Sequence, residues 1–467
     1  MGDGPSPNAW EGRLHATAAE ALYLHLPFCE SKCAYCDFAS WVTREGDPLM
    51  GAYARALGSQ VRELKGAGLL SSCRTAYLGG GTPSLLGTDG LSDLVRAVAS
   101  TTAAAELSVE ANPESLAEGM AGALAEAGAT RVSLGVQSLD DGELRLLGRA
   151  HDARTALRAL GDAVSSGLDV SCDLMCAIPR QTSESWARSL RGVLGEGVGH
   201  VSVYPLAIED GTAFGRAVDE GLMDEPEDGL AAELMEEAER ILGEAGLSRY
   251  EVASYARPGR ACAHNQAYWT GHPYLGLGCS ASGMLAREGY LRLRDACCPQ
   301  LPEPAPASAR LRLRVLTGRR AIAEDPRLSS LSFEVEELDA GQAAAEDLML
   351  GARMTRGLDP ALVSHARLVL GGGRVQAALD DCVARGLLAR DGGGRLAPTH
   401  RGWLLGNELY GTLWDLAGGE TLTSRCQGRG APKPRPPFVK LRGGGIRHAA
   451  MGYSSARQVA MAAHGGR

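Results

Sequence analysis

The sequence predicts an α/β protein built on a parallel sheet, and three observations predict it. Short apolar runs alternate with longer amphipathic stretches from Ala21 to Tyr255. The runs have the length of strands and the stretches the length and period of helices. The 467 residues suffice for two or three domains around a large core. Regular βα alternation implies parallel strands with helices outside them, as an open sheet or a full or partial barrel. In all of these, ligands collect at the carboxyl ends of the strands.

Taken in order, strands are expected at Ala21–Leu26, Thr75–Gly80, Glu106–Ala111, Arg131–Val136, Leu168–Met175 and His200–Leu206. Helical patterns lie around Pro48–Lys65, Leu91–Thr101, Ser115–Ala127, Thr155–Ser166, Ser183–Leu194 and Leu230–Ala245. Residues 1–20 read as a flexible arm. They have no apolar stretch of signal-peptide length and carry acids early, so no secretory or Arg-rich transit segment is expected. No run of 18 apolar residues suggests a membrane span.

Polar groups gather where the strands end. The first strand runs into Leu24–Phe38, LHLPFCESKCAYCDF, with Cys29, Cys33 and Cys36 at C-x3-C-x2-C spacing. Three thiolates on one loop can hold three irons of a cubane iron–sulfur cluster and leave the fourth open to a small molecule. A redox dithiol, half of a zinc site or three buried apolar thiols are the plainer readings. The second strand ends in Gly80, Gly81 and Thr82, the third at Glu110, the fourth at Gln137 and the fifth at Asp173. Backbone can approach a ligand closely at Gly80 and Gly81. Glu110 and Asp173 offer anionic acceptors, Arg149 a fork for a carboxylate, and Gln137 both donors and acceptors. Together they suit a zwitterion carrying a sugar.

The formal net charge of −9 gives no basic footprint, so nucleic acid is not an expected partner. Twelve unevenly spaced cysteines do not read as a secreted disulfide scaffold. The expected location is the reducing cytoplasm, and peripheral association with a membrane is compatible with this composition.

The combination of the Y-x-H-x-P-F-C-x3-C-x2-C start with GGGTPS, EANP, SLGVQS, the Arg of LLGRAH and DLMCAIP resembles one family. These are the radical S-adenosylmethionine proteins related to oxygen-independent coproporphyrinogen oxidase. The resemblance runs from Ala21 to about Gly418. It implies a partial parallel (β/α)6-type radical SAM barrel over residues 21–255, with a 4Fe-4S cluster on Cys29, Cys33 and Cys36. It further implies S-adenosylmethionine on the open iron, lined by Tyr23, Gly80 and Glu110. Tyr35, Gly81, Thr82, Gln137, Arg149 and Asp173 match positions that contact a second S-adenosylmethionine in the oxidase.

Residues 256–300 contain H-N-x2-Y-W as His264-Asn265-Gln266-Ala267-Tyr268-Trp269. A neutral imidazole among aromatics can ligate haem iron, and equally it can be a core histidine. Within the family this motif resembles that of the HemW-type haem chaperones. Phe38 stands where oxidase-type sequences carry a further cysteine, and only 28 residues precede Cys29, which points the same way. The resemblance therefore implies haem held through His264 and passed to an acceptor protein. The alternative is a radical enzyme, such as the oxidase or a methylating or cyclopropanating relative. One departure is Ser282, where HemW-type sequences carry histidine after a glycine-rich loop.

Residues from Pro302 to Arg320 read as a Pro- and Arg-rich connection. Residues 301–417 read as a smaller helical, winged-helix-like domain, with a hairpin turn at Asp391–Gly394. Residues 418–467, rich in Gly, Pro and Arg, read as a disordered tail.

Overall fold

A computed structural model describes residues 11–418 and 422–428. Six parallel strands form its centre: β1 (Ala21–Leu26), β2 (Thr75–Gly80), β3 (Glu106–Ala111), β4 (Arg131–Gln137), β5 (Asp169–Cys176) and β6 (His200–Pro205). They lie side by side in chain order. Every residue of β1 is buried. Leu22, Leu24 and Leu26 join the main apolar core, while Tyr23 faces a cavity inside the curved sheet. This alternation is the mark of a strand covered on both faces.

The helices between strands use local signals. Asp47 accepts the Leu49 amide ahead of Pro48 to start the helix Pro48–Gly66. Asp140 and Thr182 cap the helices Asp141–Leu147 and Ser183–Gly195 in the same way. Buried leucines and alanines on one side of each helix fill the layer outside the sheet.

The sheet continues beyond the six strands. A seventh parallel strand, β7 (Tyr274–Leu277), pairs with the outer edge of β1. Then β8 (Ser282–Ala286), β9 (Ser308–Val315), β10 (Phe333–Asp339) and β11 (Leu422–Cys426) extend that edge antiparallel. At the other edge Ser254–Ala256 pairs antiparallel with β6.

This revises several expected boundaries. The Arg-rich connection is strand β9, in which Leu311, Leu313 and Val315 enter the core while Arg310 and Arg312 are also buried. The arginines lie in the fold because carboxylates answer them. Arg310 bonds Glu346 at 2.9 Å and Asp347 at 2.7 Å, and Arg312 bonds Glu336 and Glu346 at 2.8 Å. The expected breaks at 255/256 and 300/301 therefore fall within one sheet. Residues 11–20 are docked: a short helix covers Glu11–Leu14, Arg13 donates to the Thr270 carbonyl, and Ala19 is fully buried. Leu422–Cys426 of the expected tail is an edge strand, and residues 1–10, 419–421 and 429–467 lie outside the described residues.

Helices Ala340–Gly351, Pro360–Leu370, Gly372–Ala384 and Gly406–Trp414 enclose a second apolar core, with the hairpin Leu388–Arg390/Leu396–Pro398 beside it. Trp403 connects the two cores: its indole N–H donates to the Val252 carbonyl at 2.9 Å and Arg249 lies over its ring.

Candidate functional site

At the carboxyl ends of β1 to β4 an open cavity of about 680 Å³ brings together Cys29, Cys33, Cys36, Tyr35, Gly80, Gly81, Thr82, Glu110, Gln137 and Arg149. Ten of the thirteen residues singled out in the sequence thus share one site. All three thiols are partly exposed, whereas Cys172, Cys176 and Cys382 are buried.

The chain after β1 folds over the loop after β2. The Gly81 amide donates to the Leu26 carbonyl at 2.8 Å and the Thr82 amide to the Phe28 carbonyl at 2.7 Å. Gly81 has to be glycine here. A Cβ would stand 2.5 Å from the Phe28 carbonyl oxygen and 2.8 Å from that of Leu26, so the backbone would have to move. Gly80 has φ of +113° and donates its amide to Glu110 Oε2 at 3.0 Å.

His25 secures the far side of the cysteine loop. Its Nε2 donates to the Ala39 carbonyl at 2.9 Å, so Nδ1 accepts from the Tyr23 hydroxyl at 2.9 Å. Burial lowers this imidazole to about 4, keeping it neutral at physiological pH.

Arg149 crosses the floor of the cavity. One guanidinium nitrogen lies 3.4 Å from Cys33 Sγ, and the other bonds Asn112 Oδ1 and the Gly135 carbonyl, both at 2.8 Å. Burial alone would lower its pKa, but Tyr35, Cys33 and Glu114 outweigh that and raise it above the ordinary value. Thr82 donates toward Cys29 Sγ at 3.8 Å and accepts from Asn112 at 3.0 Å. Asn112 and Glu114 were not assigned in the sequence, although both sit at or beside the quoted EANP motif.

The residues fit a cubane better than a single ion. Among the described residues no three His, Cys, Asp or Glu side chains stand close enough to share one metal ion, zinc included. A cubane takes its thiolates on separate irons. Burial pushes the Cys36 thiol up to about 11 and raises Cys29, so these sulfurs are protonated without iron and loading releases protons.

Tyr23, Asp173 and His264 stand apart from this cavity. They line a second one of about 520 Å³ inside the barrel. Asp173 was expected at a strand end, but β5 continues three apolar-type residues further to Cys176, which leaves Asp173 in mid-strand beside Ser133. Tyr23 is likewise in mid-strand. His264 lies at the amino ends of the strands, opposite the cysteines. Its Nδ1 is 2.9 Å from the hydroxyl of Thr75, the first residue of β2, and its Nε2 is 3.2 Å from the Tyr268 hydroxyl. The ring stacks on Tyr77 and is 1% exposed, and burial lowers its pKa to about 3. In this structure both ring nitrogens of His264, the expected haem ligand, lie within hydrogen-bond distance of hydroxyl groups, and the ring borders the inner cavity. Ser282, in place of the usual histidine, is buried at the start of β8.

Comparison with known proteins agrees with this architecture. The Radical SAM superfamily model matches residues 23–192. A mouse protein named radical S-adenosyl methionine domain-containing protein 1, mitochondrial, is 37% identical over 294 residues, 62% of this chain and 64% of its own. A bovine relative of that name is covered to 61%, so the chain spans less than two thirds of both mammalian proteins. A Mycobacterium tuberculosis protein named heme chaperone HemW is 34% identical over 398 residues, 84% of this chain and 94% of its own. Among solved structures, coproporphyrinogen III oxidase (HemN) from Escherichia coli, described as a radical SAM enzyme, superposes with a TM-score of 0.67. That match is 21% identical and covers 88% of this chain and 94% of the other, a likeness of fold. Through the near full-length mycobacterial match and the cysteine-bearing barrel, this chain belongs to the HemW family of radical SAM proteins.

Proposed function

We propose that the protein is a haem chaperone that carries a 4Fe-4S cluster on Cys29, Cys33 and Cys36, binds S-adenosylmethionine beside it, and delivers haem to an acceptor protein. The observation that carries the cofactor half is the cavity that gathers three cysteines with Gly80, Gly81, Glu110, Gln137 and Arg149. The haem half is supported by family membership. A cluster held by three thiolates leaves one iron to take the amino and carboxylate groups of S-adenosylmethionine and supplies an electron-transfer centre beside it.

The chain's own groups serve that ligand in distinct ways. The Gly80–Thr82 turn brings bare backbone to the cavity wall, and the Glu110 carboxylate is an acceptor there for ammonium or hydroxyl groups. Arg149, 3.4 Å from Cys33 Sγ, would balance anionic charge there. All twelve cysteines are free thiols, which supports the cytoplasm as the working compartment. Among the described residues no helix is long and apolar enough to cross a membrane.

Anaerobic reconstitution followed by haemin titration tests the reading. Expected are about four irons per chain, a cluster signal perturbed by S-adenosylmethionine, and tight haem binding without conversion of coproporphyrinogen. Turnover of coproporphyrinogen to protoporphyrinogen would overturn the chaperone in favour of a radical enzyme, whose fold this chain shares. Haem affinity unchanged in His264→Phe would assign the iron ligand elsewhere, in line with the buried position of that ring.

A further inference from the structure

The segment Leu147–His151 does more than supply Arg149. The Ala34 amide of the cysteine loop donates to the Leu147 carbonyl at 3.0 Å, which docks the segment on that loop. Four residues on, His151 is buried, with no solvent exposure of its side chain. Its Nδ1 is 2.9 Å from Glu114 Oε2 and its Nε2 is 3.0 Å from the Val136 carbonyl.

Each of these partners bears on the cavity. Glu114 lines it directly, as does Gln137, the residue after Val136. Gln137 holds φ of +67°, a left-handed conformation that a side chain of this size adopts only under external constraint, and the β4–β5 register shifts at this point. Burial raises the Glu114 carboxyl, but the His151 hydrogen bond and the Arg149 charge outweigh it and bring it below the ordinary range. The Val136 carbonyl can only accept, so Nε2 donates to it, while Nδ1 is bonded to the Glu114 carboxyl group. Arg149 and Glu114 thus line the cavity with opposite charges, and His151 stands behind them, bonded to Glu114 and to the Val136 carbonyl.

We propose that His151 is a positioning residue for S-adenosylmethionine: by tying Glu114 to the Val136 carbonyl it holds Arg149 and Gln137 in the orientation that meets the ligand, without touching the ligand itself. The inference rests on the reading of the cavity as an S-adenosylmethionine site. It separates two jobs within the motif. Cys33 and its neighbours hold iron, and His151 shapes the ligand side.

The test uses the full chain, reconstituted anaerobically, as wild type, His151→Phe and His151→Gln. Iron content, the cluster's electron paramagnetic resonance signal and the dissociation constant for S-adenosylmethionine by calorimetry are measured on each. Expected is a loss of at least about tenfold in affinity in His151→Phe, as for other outer-shell partners, partial recovery in His151→Gln, and wild-type iron content in both. Affinity within about twofold of wild type in an iron-loaded His151→Phe would overturn the positioning role. So would loss of the cluster from both variants, because His151 would then be a structural support of the whole loop. Failure of the wild type to bind S-adenosylmethionine would instead remove the reading of the cavity, and the proposal with it.

Discussion

The two ends of the barrel are built on opposite rules. At the carboxyl ends of the strands, backbone turns tightly around glycine, three thiols stand partly exposed and Arg149 points into open volume. At the amino ends, charged groups are paired and the key imidazole is enclosed. Glu106 takes the amides of Ala263 and His264 at 2.9 Å, Arg131 lies 3.4 Å from the same carboxylate, and His264 is closed in by Thr75, Tyr77 and Tyr268. One end carries the cysteines and the open cavity, and the other ties its side chains to one another around the inner cavity. A motif's presence in a sequence therefore does not say which job its residues do.

The sharpest way to break this contrast is to remove a thiol from the open end. Cys33→Ser should lose most of its bound iron and the associated visible absorption, with little change in unfolding midpoint of the iron-free protein, since the thiol is not packed in a core. A large loss of stability in the iron-free variant would mean that the cysteine loop is a structural element. Gly81→Ala should come next. Its Cβ meets two carbonyl oxygens, so about 1–3 kcal/mol of stability and cluster retention should be lost together, measured by denaturant unfolding and iron analysis.

The closed end makes the reverse prediction. His264→Phe should cost about 1–3 kcal/mol by leaving the Thr75 and Tyr268 hydroxyls without their nitrogen partners, while iron content stays at the wild-type level. It should also change the dependence of stability on pH. Folded His264 titrates at about 3 in place of 6.5. Below pH 6.5 the unfolded chain therefore binds a proton that the folded chain refuses, and stability falls as pH drops toward 3. Each such histidine contributes about 1.4 kcal/mol per pH unit. His25 and His200 share the behaviour, lowered to about 4 and 3. The stability of His264→Phe should accordingly decline less steeply between pH 6.5 and 4 than that of the wild type.

The same contrast explains what was legible in the sequence. The six central strands and the open end could be read because cysteine spacing, glycine runs and strand-end polar residues are local signals. Asp173 is read as belonging to that end on the same logic, but its strand runs three residues past it, which moves the side chain into the lumen; Tyr23, implied there by the family resemblance, lies in mid-strand and faces the lumen as well. His264 could not be placed at the opposite end without knowing that its helix packs under β2, a contact between residues 189 apart. Strand β9 was hidden because arginine reads as solvent-facing until Glu336, Glu346 and Asp347 from distant segments are seen beside it. His25 and His151 lie inside motifs that were quoted, yet their work is bonding to backbone, which residue type alone does not announce.

The smallest effect expected at the open end is electronic. Thr82 donates toward Cys29 Sγ at 3.8 Å while its oxygen accepts from Asn112. Hydrogen bonds to cluster sulfurs stabilise the reduced, more negative state and so raise the reduction potential. Thr82→Val keeps the shape and removes the donor. If the bond to sulfur contributes about 0.5–1 kcal/mol, the midpoint should fall by roughly 20–40 mV for one electron, read by potentiometric titration of the cluster signal. The Arg149→Met variant, which removes a charge as well as a donor, should shift it further in the same direction. A midpoint that rises in either variant would mean that the sulfurs take their hydrogen bonds from the cavity's own ligand or solvent. The wall of Thr82, Asn112 and Arg149 would then serve the bound ligand and leave the cluster's potential to others.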